Sequence, residues 1–187
     1  HILNALSGKT TKSAPKKYVE KLFDNYAANF EKSLVKNLKY NTPKIIKEMI
    51  IDDNMVNLGS VLDLGCGTGL VGFELKPFSK NIDGVDLSKL MLDKANNKKI
   101  YNNLFHSDIE CYLTSRNLEY DYFVAADVFV YIGDLSKVFK LIKDRNKRNG
   151  KFIFSTEHTN RKGYFITKKG RYCHSFHYIK SLCKKFD

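Results

Sequence analysis

The chain has 187 residues, of which 43% are hydrophobic and 13% aromatic; that suits one globular domain with a full core and excludes a disordered or low-complexity chain. Its net charge of +12 leaves an anionic partner such as nucleic acid open, but the lysines are scattered rather than packed into one block, so nucleic acid is not favoured. There is no window with the roughly 18 consecutive apolar residues of a membrane span and no secretory signal, and none of Cys66, Cys111, Cys173 and Cys183 forms a C-x-x-C pair, which points to reduced thiols in a cytoplasmic setting.

In chain order, residues 1–15 read as a polar arm or linker. Ser-Gly-Lys-Thr at 7–10 suggests a phosphate loop, but Leu3 stands where that loop needs its first glycine, and no strand precedes it. Residues 16–38 place Val19, Leu22, Phe23, Tyr26, Phe30, Leu34 and Leu38 at steps of three and four, one apolar helix face. Thr42-Pro43 starts a second helix, expected to run to about Asp52. From there strands and helices alternate. Strands are expected at Ser60–Leu64, Ile82–Asp86, Ile100–His106, Tyr122–Ala126 and, after an Asn149-Gly150 turn, Lys151–Ser155. Helices are expected from the glycine loop to Lys76, from a Ser88 cap through Leu92 and Ala95, at Ile109–Leu113, and at Leu135–Ile142. This alternation predicts an α/β fold, a mostly parallel sheet with helices on both faces. Residues 16–187 form one domain, with N-terminal helices over 16–58 and a Rossmann-like core over 59–187.

The stretch VLDLGCGTGL, 61–70, carries the strongest signal. An apolar strand runs straight into Gly65, Gly67 and Gly69, so the loop lies at the strand's carboxyl end, where open α/β sheets bind ligands. Glycines there permit positive φ and close approach of a ligand to the backbone. The alternative, a tight turn with no ligand, accounts less well for three glycines in five residues behind an acidic one. The spacing is not the G-x-G-x-x-G of dinucleotide enzymes, because Leu70 stands in the last position.

The D-x-G-x-G-x-G pattern resembles motif I of the class I S-adenosylmethionine-dependent methyltransferases. The resemblance implies that Asp63, Gly65, Cys66, Gly67, Thr68 and Gly69 surround the amino-acid part of S-adenosylmethionine, whose product is S-adenosylhomocysteine. In GVDLS, Asp86 matches the acidic residue that takes both ribose hydroxyls; a carboxylate has two acceptor oxygens for two adjacent donors. HSDIECYL, 106–113, resembles the family's adenine segment, which assigns Asp108 to the adenine amino group, the Ile109 backbone to a ring nitrogen, and Leu87 and Met91 to the ring faces. Asp108 equally reads as a helix N-cap. AADVFVYIGDL, 125–135, resembles the segment that puts Ala126 and Asp127 near the methionine portion. Residues 16–46, 63–72 and 170–182 together resemble a bacterial subgroup of tetratricopeptide-repeat methyltransferases. The family's last two strands have no counterpart after KSLCKKFD, which would leave the fifth strand with an apolar edge.

A methyl group on a sulfonium is already activated, so alignment and water exclusion dominate, and a base is needed only where the acceptor must lose a proton. Asp127, Tyr131, Glu157, His158 and His174 are the catalytic candidates, each also readable as a cap or solvated side chain. Tyr26 and Phe30 would close over the cofactor, or simply pack in the core. Arg171 and His174 suit an anionic acceptor, or cap the last helix. Cys173, His174 and His177 match no standard metal spacing, so no metal is expected. The leading expectation is a small-molecule methyltransferase. The rivals are an RNA or protein methyltransferase, disfavoured for base amines by the lack of an N-P-P-[YF] tetrad, and a non-catalytic cofactor-binding subunit.

Overall fold

The computed structural model describes residues 1–37, 39–51, 57–115 and 119–186. Its centre is a five-stranded sheet built from β1 (Ser60–Leu64), β2 (Asn81–Asp86), β3 (Asn103–His106), β4 (Tyr120–Ala125) and β5 (Asn146–Phe154), in the order β3-β2-β1-β4-β5. Every neighbouring pair is parallel. The chain therefore winds outward from β1 in one direction, returns to β4, and winds outward in the other. The point of reversal lies between β1 and β4, where this architecture opens a crevice beyond the carboxyl ends.

The strand sequences show why both sheet faces are covered. Successive side chains point to opposite faces. On one face Leu62, Leu64, Phe123 and Ala125 pack with residues of α6 (Ile109–Ser115), α7 (Ser136–Lys143) and α8 (Phe176–Phe186). On the other, Val61, Ile82, Tyr122 and Val124 pack with α3 (Thr42–Ile51) and α4 (Leu70–Leu75). A strand buried on both sides has no need of polar alternation, which is why VLDL and YFVA read as nearly continuous apolar runs. α5 (Lys89–Asn97) starts as expected, with the Ser88 hydroxyl accepting the Met91 N–H at 3.2 Å.

Several boundaries differ from expectation. Residues 1–15 are not a free arm: they contain α1 (Ile2–Leu6) and bury Ala5 and Ala14. The Lys12 carbonyl accepts the N–H groups of Gly133 and Asp134, both at 2.8 Å, and Ala14 N–H bonds the Tyr131 carbonyl at 2.9 Å. The single helix expected over 16–38 is two pieces, α2 (Lys16–Tyr26) and a π-helix over Lys32–Asn37. Between them the Tyr26 carbonyl takes the Asn29 N–H in a tight turn, and Ala27 is turned inside. Leu38 and the Asp52 end of α3 lie outside the described residues. β3 begins at Asn103, not Ile100, because the Asn102 side chain, ahead of the strand, takes the Ile82 N–H. The turn expected at Asn149-Gly150 is instead an irregularity within β5, where pairing with β4 shifts register and Asn149 has φ 67°.

After β5 the chain leaves the main sheet and forms a small sheet of β6 (Glu157–His158), β7 (Tyr164–Ile166) and β8 (Tyr172–His174), ordered β6-β8-β7, before α8. β5 is thus an edge, and a groove of about 720 Å³ runs beside it, lined by Phe139, Phe152, Phe154 and Phe186 among others. No described helix is long and apolar enough to cross a membrane.

Candidate cofactor and acceptor site

The glycine loop is tied to β2, with the N–H groups of Gly65 and Cys66 both reaching the Val85 carbonyl at 2.8 and 3.1 Å. Gly65, Gly67 and Gly69 have φ of 70°, 52° and 87°, a region L side chains rarely enter. Space adds a second demand at two of them. A Cβ at Gly65 would run into the Val128 side chain, and one at Gly69 would stand 3.0 Å from the Tyr101 ring. At Gly67 the nearest atom to such a Cβ is on the Phe30 ring, 3.9 Å off. So protein packing explains Gly65 and Gly69, and Gly67 is where another molecule can lie on the backbone. Cys66 and Thr68 are buried.

Asp86 ends β2 directly beside this opening. One oxygen accepts the Gly67 N–H at 2.8 Å and the other the Ser88 N–H at 2.8 Å. The Leu87 N–H also bears on this carboxylate; a carboxylate offers about four lone-pair sites, so acceptor capacity remains for a further donor. Burial pushes its pKa up, and the Ser88 and Gly67 N–H groups pull it back. Asp63, expected to hold the amino-acid part of the cofactor, is instead beneath the loop, 1% exposed, with the Tyr101 hydroxyl donating to it at 2.7 Å. Burial drives its carboxyl up to about 7, against the pull of the Tyr101 hydrogen bond and with a push from the Asp86 charge.

The N-terminal helices roof the opening. Phe30 stands over Gly67, Glu31 pairs with Lys98 at 2.6 Å, and Asp24 accepts the Ser88 hydroxyl at 2.5 Å. Tyr26 packs edge-on against Phe30 at 5.6 Å and is 37% exposed, so it buttresses the roof from outside.

Across the crevice, just past β4, Asp127 holds a left-handed backbone at φ 55°. For a non-glycine residue that conformation is uncommon and persists where its surroundings hold it. Ser155, just past β5, does so twice: its hydroxyl accepts the Asp127 N–H at 2.7 Å and donates to the carboxylate at 2.8 Å. Thr42 donates to the other oxygen at 3.4 Å. The hydroxyl of the half-buried Tyr40 bonds the same carboxylate, and burial followed by the Asp127 charge raises its pKa. Ala126 packs into the core beside it.

Other expected residues fall elsewhere. Asp108 caps α6, accepting the Cys111 N–H at 3.1 Å, and pairs with Lys16 at 2.9 Å. Ile109 and Met91 are buried core residues, and the Leu87 carbonyl bonds His106. His174 is 1% exposed, with Nε2 at 3.0 Å from the carbonyls of both Ile132 and Gly133. A nitrogen facing two carbonyls is a donor, so His174 is a neutral strut, and burial lowers its pKa. It is neither a base nor an acceptor ligand in this arrangement. Arg171 is spent on Glu157 at 3.0 Å, and His158 is exposed and bonded to Asn160. Tyr131 packs edge-on against Phe23 at 5.3 Å. Tyr40, Thr42, Tyr101 and Ser155 escaped the sequence reading. Only Ser155 carried a local signal, as the first hydroxyl after an apolar strand.

Comparisons with known proteins agree with this geometry. The family model of a methyltransferase domain matches residues 56–185. An uncharacterized methyltransferase of Schizosaccharomyces pombe is 26% identical over 72% of this chain and 55% of its own length. A ubiquinone biosynthesis O-methyltransferase of Coxiella burnetii is 32% identical over 59% of this chain and 48% of its own. The chain thus spans about half the length of these relatives. A solved S-adenosylmethionine-dependent methyltransferase of Clostridium acetobutylicum aligns with a TM-score of 0.58 at 29% identity, over 73% of this chain and 58% of that one. A magnesium protoporphyrin IX methyltransferase of Synechocystis with bound S-adenosylmethionine shares the fold, with a TM-score of 0.70 over 91% of this chain and 85% of that one, at 16% identity. An open-faced glycine beside a carboxylate with free lone pairs fits the nucleoside these proteins use, and with the match over 56–185 the chain belongs to the S-adenosylmethionine-dependent methyltransferases.

Proposed function

We propose that this enzyme transfers the methyl group to a small molecule lying at the ends of β4 and β5, with Asp127 the group that meets the acceptor. The observation that carries this reading is the roof: α2, the π-helix segment and the start of α3 cover the crevice through Phe30, Tyr40 and Thr42. A covered crevice admits a compact molecule more readily than a folded RNA or a protein surface. The Coxiella burnetii relative acts in ubiquinone biosynthesis as an O-methyltransferase, which supports a hydroxyl-bearing acceptor.

In this reading Asp86 would take the ribose hydroxyls and the Gly67 backbone would support the cofactor. The bound cofactor supplies an activated methyl group. The chain's residues supply position: Asp127 is pinned from two sides by Ser155 and held by Thr42 and Tyr40. An ionised carboxylate so placed orients an acceptor O–H and takes its proton where the acceptor must lose one. Cys66 and Cys173 are buried as thiols, which suits a reducing compartment such as the cytoplasm. The likeness to the repeat-bearing subgroup rests on 16–46, 63–72 and 170–182, whose described residues supply the roof, the glycine loop and the β8–α8 region.

The test is incubation with methyl-labelled S-adenosylmethionine and, separately, a metabolite fraction below about 1 kDa, total RNA and total protein. Label in the small-molecule fraction is expected, and it should disappear with Asp127→Asn. Label confined to RNA or protein overturns the reading.

A further inference from the structure

Tyr101 lies outside every motif and precedes β3, yet its ring fills a slot that three glycines keep open. A Cβ at Gly69 would stand 3.0 Å from the ring, one at Gly72 would collide with the ring and hydroxyl together, and one at Gly84 would meet Cys66 and Leu104 at 2.9 Å and the ring at 3.1 Å. Those glycines belong to the end of the loop, the first turn of α4 and the middle of β2. The ring therefore wedges the loop and α4 against β2, and its hydroxyl reaches Asp63 near the end of β1 at 2.7 Å. Asp63 is 1% exposed, so a molecule resting on the outer face of the loop does not touch it. The Gly72 N–H also bears on this carboxyl, so the first turn of α4 is tied to the same anchor.

We propose that Tyr101 is a positioning residue for the glycine loop, acting through Asp63, and that this buried pair couples cofactor affinity to pH. The inference rests on the loop being the cofactor's seat. Asp63 is faced by the Tyr101 hydroxyl, the Asp86 carboxylate and the Gly72 N–H, and its charge is also felt by Cys66 and Tyr40. Burial, first among these influences, places its proton exchange near neutrality. The sulfonium and ammonium of S-adenosylmethionine favour a negative charge beneath the loop, so the ligand binds the ionised form better. By linkage, affinity then rises as pH climbs through that range. The Tyr101 hydroxyl stabilises the ionised form, so removing it moves the rise to higher pH.

The experiment is calorimetric titration of S-adenosylmethionine at about pH 6, 7 and 8 into the wild type, Tyr101→Phe, Asp63→Asn and Asp86→Ala, each checked for folding by thermal melting. Wild-type affinity is expected to tighten by about fivefold more than that of Asp63→Asn across this range. Tyr101→Phe keeps the wedge and loses only the hydroxyl; it is expected to bind about threefold more weakly than the wild type at pH 7 and less than about twofold more weakly at pH 8. Wild-type affinity at all three pH values in Tyr101→Phe, or uniform weakening with the wild-type pH profile, overturns the proposal. Should Tyr101→Phe not fold, a wild-type pH profile in Asp63→Asn overturns it alone. Asp86→Ala reports on the seat itself: undiminished binding there removes the premise rather than the coupling.

Discussion

At the scale of single residues, Asp86 does two things at once. It ties the loop through the Gly67 and Ser88 N–H groups, and it keeps acceptor capacity for a ligand. Asp86→Ala should therefore weaken S-adenosylhomocysteine binding by more than about tenfold, or about 1.4 kcal/mol, while Asp86→Asn, which keeps one acceptor, loses less; equal losses measured by calorimetry would argue against the ribose role. Asp63 makes a different prediction, on stability. Its carboxyl is pushed from 3.8 to about 7 in the folded chain. Below its unfolded value it is protonated in both states and costs nothing. Between the two values the unfolded chain releases the proton and the folded chain keeps it, so stability falls as pH rises, and above about 7 the loss is complete. The melting temperature of Asp63→Asn relative to the wild type should climb steadily from about pH 4 to about pH 7, and a flat difference across that range would refute the buried, uncharged assignment. His174 shows what residue type alone hides. Its place in GRYCHSFHY suggests chemistry, but two carbonyls and burial make it a strut. His174→Ala should destabilise the fold by about 1–3 kcal/mol and leave cofactor affinity of the folded protein intact, as thermal melting and calorimetry would show.

At the scale of elements, legibility follows distance along the chain. The glycine loop and the Ser88 cap could be read because strand, loop and cap residues lie within a few positions of one another. The partners of Asp127 could not: Thr42 is 85 residues away and Ser155 28, and no local pattern announces a contact made only by folding. The roof was partly legible. The apolar steps of three and four expected through 16–38 gave only part of the face, since Leu22 and Tyr26 are exposed and Ala27 is the residue turned inside; the period also runs through the turn after Tyr26, so two pieces read as one helix. That break matters to the function proposed. α2 buries no residue fully; it is held by the partly buried Tyr18, Val19 and Phe23 and by the polar contacts of Asp24 with Ser88 and Lys16 with Asp108. Elements with few buried apolar contacts open at low free energy. Amide exchange should be fast through α2 and slow through β1 and β4, and S-adenosylhomocysteine should slow exchange in α2 most. Uniform protection of α2 without ligand would mean that the roof is not the part that admits the cofactor.

For the molecule as a whole, two properties oppose each other. β5 is an unpaired sheet edge beside an apolar groove carrying Phe152, Phe154 and Phe186, and such an edge is a template for association. The alternation of strands and helices made the sheet legible, and the family resemblance pointed to the fifth strand as an apolar edge; the full strand order, set by packing, came from the fold. Against association stands a net charge of +12, with Lys143, Lys147 and Lys151 along the same groove. Like charges repel over roughly 10 Å at 0.1 M salt and only about 3 Å at 1 M, whereas the attraction of apolar surface does not weaken with added salt. Charge should therefore win at low ionic strength and the edge at high. Sedimentation velocity of this chain should show a monomer at about 0.05 M sodium chloride and growing association towards about 1 M. Association at low salt that dissolves as salt is added would reverse the argument, since it would mean that opposite charges, and not the β5 edge, bring the molecules together.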